Sequence, residues 1–565
     1  MSQRHISIFL FIFFISFVYY IFLFGIETFN PFFTDWLWKG GVSAQNYFGW
    51  AFFKNEEWLF PPGKIESFNL SQPTSIGLTD AIPLWAFFFK CFQPFLPNTF
   101  QYTGYFLFSN ILLLGIVAYY WAKRLTTHFY LQCFFILFII LSPPFLYRLH
   151  WNPALSSHWI ILGALYTFLN PWQFKNWAFW AIIASLIHPY ILAMVFTLIL
   201  FHFISSPTPN LKKRFVQLIF IFILSFFTLY LTGYFVTGSS LDDLGFGSNQ
   251  LNLISLFNGY IFHPPFLSYD FNFDSEEGLL YLGFGGIILF VFALFFYFKN
   301  LQTFKENPIF NNIYLILAVV LLSIYALASP IRLLNTELFS IFIYDYPPFK
   351  QIAGIFRATG RFGWPLFYVL NIFIFAVLFK TLKTKILIPL LSVCLIVQVV
   401  DLFPQYTEMH KQNITDVPQI QNYLKPIQNA KWQQITKPNA NLILFPSRNI
   451  FSFEKDQRWH ITWERYIPPA FYITYAAYQY QMRTNYAHSS RMNVDKWQEL
   501  LFNHLNLLKQ GKQMHNTLYI FFDEISPEEL SSVVHPDLFK KIEIIDGYPF
   551  LPMCTKSEKH CVENF

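Results

Sequence analysis

Arg357 and Arg361 stand four residues apart in Phe356-Arg357-Ala358-Thr359-Gly360-Arg361-Phe362, directly ahead of a long apolar run. In a helix this spacing turns both guanidinium groups to one side, where together they can grip a phosphate through paired hydrogen bonds. Basic side chains at the ends of membrane helices also snorkel to lipid phosphates, and the two readings stand level. Arg148, His150 and His158 form a second set of donors in the segment 142–159. There Pro143 and Pro144 break a helix and leave carbonyls free to line a polar recess. His188, ahead of Pro189, either lines such a recess or is an ordinary polar turn residue.

General-base chemistry needs an ionised carboxylate within hydrogen-bond reach of the group it activates, in a place that excludes bulk water. Asp35 and Asp80 are the candidates, the latter in Thr79-Asp80-Ala81-Ile82-Pro83 at the edge of an apolar segment. An aspartate in a wet loop also caps a helix or is simply solvated. The adjacent Asp242 and Asp243 are able to share a divalent cation, but their Gly/Ser-rich surroundings read first as a solvated loop. No HExxH, CxxC or other spaced ligand set accompanies them, so no cofactor is indicated. Cys91, Cys133 and Cys394 lie in apolar runs and read as small buried hydrophobes. Cys554 and Cys561 lie close together in the polar tail and are able to close a short disulfide loop if that tail is extracytoplasmic.

The elements that must position these groups are those of a membrane protein. Of the 565 residues 55% are hydrophobic and only 12% charged, about half the usual charged share, and this excludes a soluble enzyme. The net charge of +6 comes with no basic stripe or recognition motif, so nucleic-acid binding is not expected. Eleven apolar runs are expected to cross the bilayer: 6–24, 104–121, 131–147, 158–169, 177–186, 190–204, 215–235, 278–298, 311–328, 362–379 and 386–402. With a cytoplasmic N-terminus, the short-loop residues Lys123, Arg124, Lys175, Lys212, Lys213, Arg214, Lys299, Lys305, Lys380, Lys383 and Lys385 all fall inside. That scheme needs two short passes between Lys175 and Lys212, with His188 and Pro189 at the far turn. It places Asp35, Asp80, Arg148, His150, His158, His188, Asp242, Asp243, Arg357, Arg361 and the whole tail on the extracytoplasmic face.

The expected fold is therefore an α-helical polytopic membrane domain over residues 1–403 and a small extracytoplasmic α/β domain over 404–565. Within the first, the outer loop 25–81 is expected to carry a helix near 43–58 lying in the membrane interface, and 82–96 is re-entrant or interfacial. In the second, 441–445, 518–522 and 542–545 read as strands and 495–508 as a helix.

Ala44-Gln45 with Gly49-Trp50, Thr79-Asp80-Ala81-Ile82-Pro83, Ser142-Pro143-Pro144 with Arg148, Ala154-Leu155-Ser156-Ser157-His158-Trp159, His188-Pro189-Tyr190, Gly245-Phe246-Gly247 with Asn252-Leu253, and Phe356-Arg357 with Gly360-Arg361-Phe362 together resemble the membrane glycosyltransferases of the GT-C superfamily. More narrowly they resemble an uncharacterised bacterial family within it. The likeness covers nearly the whole membrane part and is weak in the tail. It implies a multi-pass protein of the bacterial inner membrane. It also implies a polyprenyl-phosphate-linked sugar as donor, an extracytoplasmic glycan, lipid or protein as acceptor, and inverting transfer assisted by an acid of the first outer loop. Asp80 or Asp35 would then be catalytic, and Arg148, His150, His158, His188, Arg357 and Arg361 would bind substrate. The chain departs from the pattern Gly-Asp-x-Ala-Gln-His, having Gly41-Val42-Ser43-Ala44-Gln45-Asn46. Either another aspartate supplies the carboxylate or catalysis is weakened. Two alternatives stay open: a transporter or lipid-handling protein, and a catalytically inactive assembly or binding protein of the same fold.

Overall fold

A computed structural model describes residues 3–37, 41–205, 210–237, 246–247, 249–262, 264–266, 276–304, 311–417, 430–445, 468–486, 490, 493–521 and 527–563. The chain is mostly helical, and each of the eleven apolar runs contains a helix. By length and composition, five stretches among the described residues can cross a membrane: Gln3–Phe24, Thr103–Leu125, Leu211–Leu231, Thr359–Thr381 and Thr384–Thr415. The pair Phe129–Ile140 and Pro143–Trp151, bent by 44°, makes a sixth if it is one span. The bend falls at Ser142-Pro143-Pro144, where proline at the first helical positions restarts a helix but cannot continue one. Four further apolar helices, Phe174–Ile187, Pro189–Ser205, Phe284–Lys299 and Ile313–Leu327, have 10–17 residues. At 1.5 Å per residue none of them reaches the roughly 30 Å of a bilayer core when standing straight. The structure thus supports five or six spans on its own where the sequence led us to expect eleven.

By compactness the chain forms two units, each drawn from several stretches of sequence. The first comprises 1–29, 102–228 and 241–414, and the second 30–101, 229–240 and 415–565. In the first unit, the N-terminus of helix Phe284–Lys299 is clamped from helix Thr384–Asp401. The buried Asp401 carboxylate accepts from the Tyr281 hydroxyl at 2.7 Å and from the Phe284 backbone N–H at 2.9 Å. Gln398 accepts from Gly286 N–H at 3.1 Å and donates to Leu282 O at 3.2 Å. Orphan amides of a helix start are satisfied in this way by a neighbour's side chains. The clamp anchors the irregular lead-in Leu279-Leu280-Tyr281-Leu282-Gly283, which follows the 3-10 turn Glu276–Gly278 that carries Glu277.

In the second unit a five-stranded mixed sheet runs in the order Arg483–Thr484, Asn441–Phe445, Thr517–Phe521, Tyr548–Leu551, Glu543–Ile545. The first three strands are parallel and the last two join antiparallel. Helix Val494–Lys509, capped by Asn493 accepting from Lys496 N–H, lays Trp497, Leu501, Leu505 and Leu508 against Ile443, Phe445, Tyr519 and Phe521. Burying such side chains contributes about 1.5–3 kcal/mol each. Cys554 and Cys561 are disulfide-bonded.

The first outer loop folds with this sheet. Leu70 N–H donates to Thr484 O at 3.0 Å, and Thr484 N–H to Ser67 O at 2.9 Å. The expected interfacial helix is present as Gly41–Asn55, but from Ser43 to Lys54 it is buried on every face rather than on one. A helix apolar nearly all round belongs in a core. Two lysines are buried here, Lys54 in the last turn of this helix and Lys90 against its end. Lys54 Nζ donates to Pro97 O at 2.7 Å, Asn98 O at 2.6 Å and Tyr478 Oη at 3.1 Å. Lys90 Nζ donates to Phe53 O at 2.5 Å and Glu56 O at 2.8 Å, closing the C-terminus of the same helix.

Burial pushes both lysines down to about 8. The folded chain therefore binds fewer protons than the unfolded chain between pH 8 and the ordinary lysine value. Stability rises with pH through that window, and below pH 8 the full cost of the buried charges persists. Thermal unfolding of the whole protein between pH 7.5 and 9.5 is expected to show a rising midpoint, with a flatter slope in Lys54→Met. Equal slopes would contradict the assignment.

Candidate functional site

In the first unit the bend at Pro143-Pro144 and the 3-10 turn Thr359–Gly363 bring two arginines to one carboxylate. Arg361 binds Glu277 bidentately, Nε to Oε2 at 2.6 Å and Nη2 to Oε1 at 2.8 Å. Arg148 Nη2 reaches Glu277 Oε2 at 2.5 Å. The Arg148 side chain is 2% exposed and that of Glu277 20%. Burial pushes the Glu277 carboxyl up, but the two guanidinium groups overcome it and keep the group well below the usual carboxylate range. The neighbouring Glu276 accepts from the Tyr147 hydroxyl at 2.8 Å.

Aromatic faces surround the cations. Arg361 lies 4.5 Å from the centre of the Tyr190 ring, and Arg148 lies 4.7 Å from Tyr147 and 5.3 Å from Trp364. His158 packs on Trp364 at 4.4 Å, and its Nδ1 is 2.8 Å from the Tyr368 hydroxyl. Arg148 Nε, Asn152 Oδ1 and His158 Nε2 are buried without a protein partner among the described residues. Buried polar atoms are nearly always paired, so such a group marks a place for water or a ligand.

The backbone permits this meeting at one point. Gly360 has Gly278 against it: a Cβ there would lie 2.5 Å from Gly278 Cα and 2.9 Å from Glu277 O. Gly360 N–H also donates to Asn249 O at 3.0 Å. Two glycines in contact allow the acidic segment and the arginine turn to approach closely.

The other residues singled out from sequence are placed as follows. His150 is buried edge-on to Trp151 at 4.6 Å. His188 joins helices Phe174–Ile187 and Pro189–Ser205, its Nδ1 accepting from Tyr190 N–H at 3.2 Å. Arg357 and Arg361 do not ride one helix. Helix Pro347–Gly354 ends before Arg357, which is exposed, and Arg361 belongs to the tight turn. Tyr190 Oη accepts from Ala358 N–H at 2.9 Å, between the two arginines.

Asp35 and Asp80 belong to the second unit and are half-buried. Asp35 opens the 3-10 turn Asp35–Leu37, and its charge acts on Tyr47 and Tyr475, whose hydroxyls burial pushes up. Asp80 has φ +53° and Ile82 φ +55°, left-handed conformations that an isoleucine adopts rarely. That turn is braced. Gly49 lets helix Gly41–Asn55 approach Thr79, whose Oγ1 donates to Ser75 O at 2.9 Å. The Asn46 amide, oriented by its acceptors, donates to Val42 O at 2.9 Å and Thr79 O at 3.3 Å. Asp242 and Asp243 lie outside the described residues, and among those described no three His, Cys, Asp or Glu side chains group to hold a metal ion.

Sequence reasoning missed Glu276, Glu277, Tyr147, Tyr190 and Trp364. The signal was charge balance: several arginines drawn into an apolar bundle require a carboxylate, and Glu276-Glu277 stands at the start of the run 278–298.

Fold and site define a mostly helical protein with several helices long and apolar enough to cross a membrane, a C-terminal α/β region and a buried ion cluster. The chain belongs to the family described as Domain of unknown function (DUF6311), which matches residues 13–403, and the DUF6311 C-terminal domain matches residues 431–554. No curated protein and no solved structure matches it.

Proposed function

We propose that the protein is a GT-C-type membrane glycosyltransferase that takes a sugar from a polyprenyl-phosphate donor and passes it to an extracytoplasmic acceptor. In this reading all eleven apolar runs cross the bacterial inner membrane, the shorter helices in thinned or tilted passes. The N-terminus is cytoplasmic and the C-terminal region extracytoplasmic. One observation carries the reading: Arg148 and Arg361 both bind the carboxylate of Glu277, and the buried Arg148 Nε and His158 Nε2 have no hydrogen-bond partner among the described residues. Donors kept dry and partly unspent suit a phosphate, whose charge grows as the bond to the sugar breaks.

During transfer the acceptor oxygen bonds to the anomeric carbon, the bond from that carbon to the phosphate oxygen breaks, and polyprenyl phosphate leaves. The acceptor's proton needs a base. Asp80 is proposed for it on its own conformation, because strained, braced backbone gathers at functional positions. Asp35, in an ordinary turn, is the second candidate.

The test uses full-length protein in liposomes with a radiolabelled polyprenyl-phosphate sugar. Asp80→Asn is expected to lower kcat by about 10²–10⁴-fold, the usual worth of a general base. Arg148→Lys is expected to weaken retention of the donor while Asp80→Asn leaves retention unchanged. Wild-type protein that neither retains polyprenyl phosphate nor transfers sugar removes the proposal.

A further inference from the structure

Between helices Ile313–Leu327 and Trp364–Thr381 the chain makes a hairpin, Ile331–Leu333 with Thr336–Phe339, followed by the turn Phe342–Asp345 and the short helix Pro347–Gly354. Among the side chains this strap turns outward are several large apolar ones that a water-facing loop avoids, beside the polar Asn335, Thr336, Glu337 and Ser340. Phe342 is 73% exposed, Phe339 59% and Tyr346 58%, with Leu333, Leu338 and Phe349 also exposed. Its backbone polar groups face the protein instead. Leu334 exchanges two hydrogen bonds with the Asn252 amide, Leu253 N–H donates to Arg332 O, and Ile341 N–H donates to Ser329 Oγ. Arg332 is neutralised by Glu337 at 2.7 Å.

Exposed apolar side chains over backbone groups bonded to the protein, with the exposed Glu337 paired to Arg332, suit the boundary between lipid and water, where polar tips stay wet and apolar bodies enter the bilayer. The preceding helix shows the same division. Ile313, Ile316, Leu317, Val320, Leu321 and Ile324 are exposed at helical spacing, while Leu315, Ala318, Val319 and Leu322 are buried. The exposed stripe ends at Ile324, and the next exposed large apolar side chain is Leu333, in the strap. The far end of the strap is tied to the ion cluster, Tyr325 Oη donating to Ala353 O at 2.5 Å and Ala358 N–H to Tyr190 Oη at 2.9 Å.

We infer that residues 331–355 form an interfacial strap that inserts Leu338, Phe339 and Phe342 among the lipids of one leaflet, beside the mouth of the arginine cluster. The occupant of this surface is the bilayer, because the strap follows in the chain a helix whose apolar stripe is likewise exposed and carries no net charge in its hairpin to select a protein partner. The inference holds with or without sugar transfer.

The test places a spin label at Phe339→Cys, Phe342→Cys or Tyr346→Cys in full-length protein whose Cys91, Cys133 and Cys394 are replaced by alanine, reconstituted in phospholipid vesicles. Collisions with oxygen are expected to exceed those with a water-soluble nickel chelate, as for a label at Leu321→Cys. A label at Lys509→Cys, exposed in the α/β region, reports the water-facing value. Strap labels that match Lys509→Cys, or that neither reagent reaches, overturn the inference, the latter outcome marking cover by protein. A photoreactive benzoylphenylalanine at position 342, with all cysteines left in place, supplies an independent reading. A lipid adduct supports insertion and a protein adduct alone refutes it.

Discussion

Glu277→Gln is expected to lower the unfolding free energy of the full chain by about 3 kcal/mol, toward the lower end of the 3–5 kcal/mol lost when one partner of a buried ion pair is removed. The lower end applies because the Glu277 side chain keeps one-fifth of its surface in water. The loss is not the worth of a hydrogen bond. It is the cost of leaving the buried Arg148 guanidinium, 2% exposed, facing that of Arg361 without the carboxylate that both of them bind. Removing a cation together with the carboxylate should therefore return part of the stability: Glu277→Gln combined with Arg148→Met is expected to be less damaging than the sum of the single changes. The pH dependence has a fixed sign. Because the folded carboxyl is held below its ordinary range, its contribution is fully present above that range and disappears as pH falls through the depressed value. Wild type should keep the cluster through pH 4, whereas Glu277→Gln should show no corresponding acid transition. Thermal or denaturant unfolding in detergent measures both effects. Additive single and double changes, or an unaltered midpoint in Glu277→Gln, would show that the cluster contributes nothing to the fold.

What the sequence disclosed depended on the range of the interaction. Local periodicity was legible: each apolar run contains a helix, and strands near 441–445, 518–522 and 542–545 are in place, as is the helix at Val494–Lys509. Length was harder to read, since an apolar run does not tell where proline or a cap ends the helix, as at Ser142-Pro143-Pro144 and His188-Pro189. Helix Gly41–Asn55 was found but given a lipid-facing side, because a sequence does not show that the loop around it folds with a sheet formed more than 380 residues later. The candidate site was half legible. Arg148, His158 and Arg361 were chosen for chemistry that stands out in apolar surroundings. Glu277 escaped because its partners are 129 and 84 residues away and no local pattern records such a pairing. The expectation that Arg357 and Arg361 share a helix face failed at Gly354 and Gly360, which end one helix and tighten the next turn.

Gly360→Ala is expected to be as damaging as the loss of Glu277, although it removes no interacting group. A Cβ at this position would lie 2.5 Å from Gly278 Cα, 2.7 Å from Gly278 N and 2.9 Å from Glu277 O. All three obstacles are backbone, so no side-chain rotation relieves them and the two segments must part. Parting stretches the Gly360 N–H to Asn249 O bond and draws Arg361 away from Glu277, one residue from each glycine. Overpacking of this kind costs about 1–3 kcal/mol and occasionally more; the loosened ion cluster places Gly360→Ala at or above the top of that range. Gly286→Ala is the matched control. It lies inside helix Phe284–Lys299, and a Cβ there meets only Leu282 Cβ at 3.4 Å and Gln398 Oε1 at 3.9 Å, ordinary contacts. Alanine in a helix is favoured over glycine by about 0.5–1 kcal/mol, so this variant should unfold at or above the wild-type temperature. The same pair separates binding from folding. At temperatures where both variants are folded, the proposed function requires Gly286→Ala to retain polyprenyl phosphate and Gly360→Ala to lose it, because only the latter shifts Arg361. Equal stability and equal retention in the two variants would mean that the Gly278–Gly360 contact does not set the spacing of the arginines.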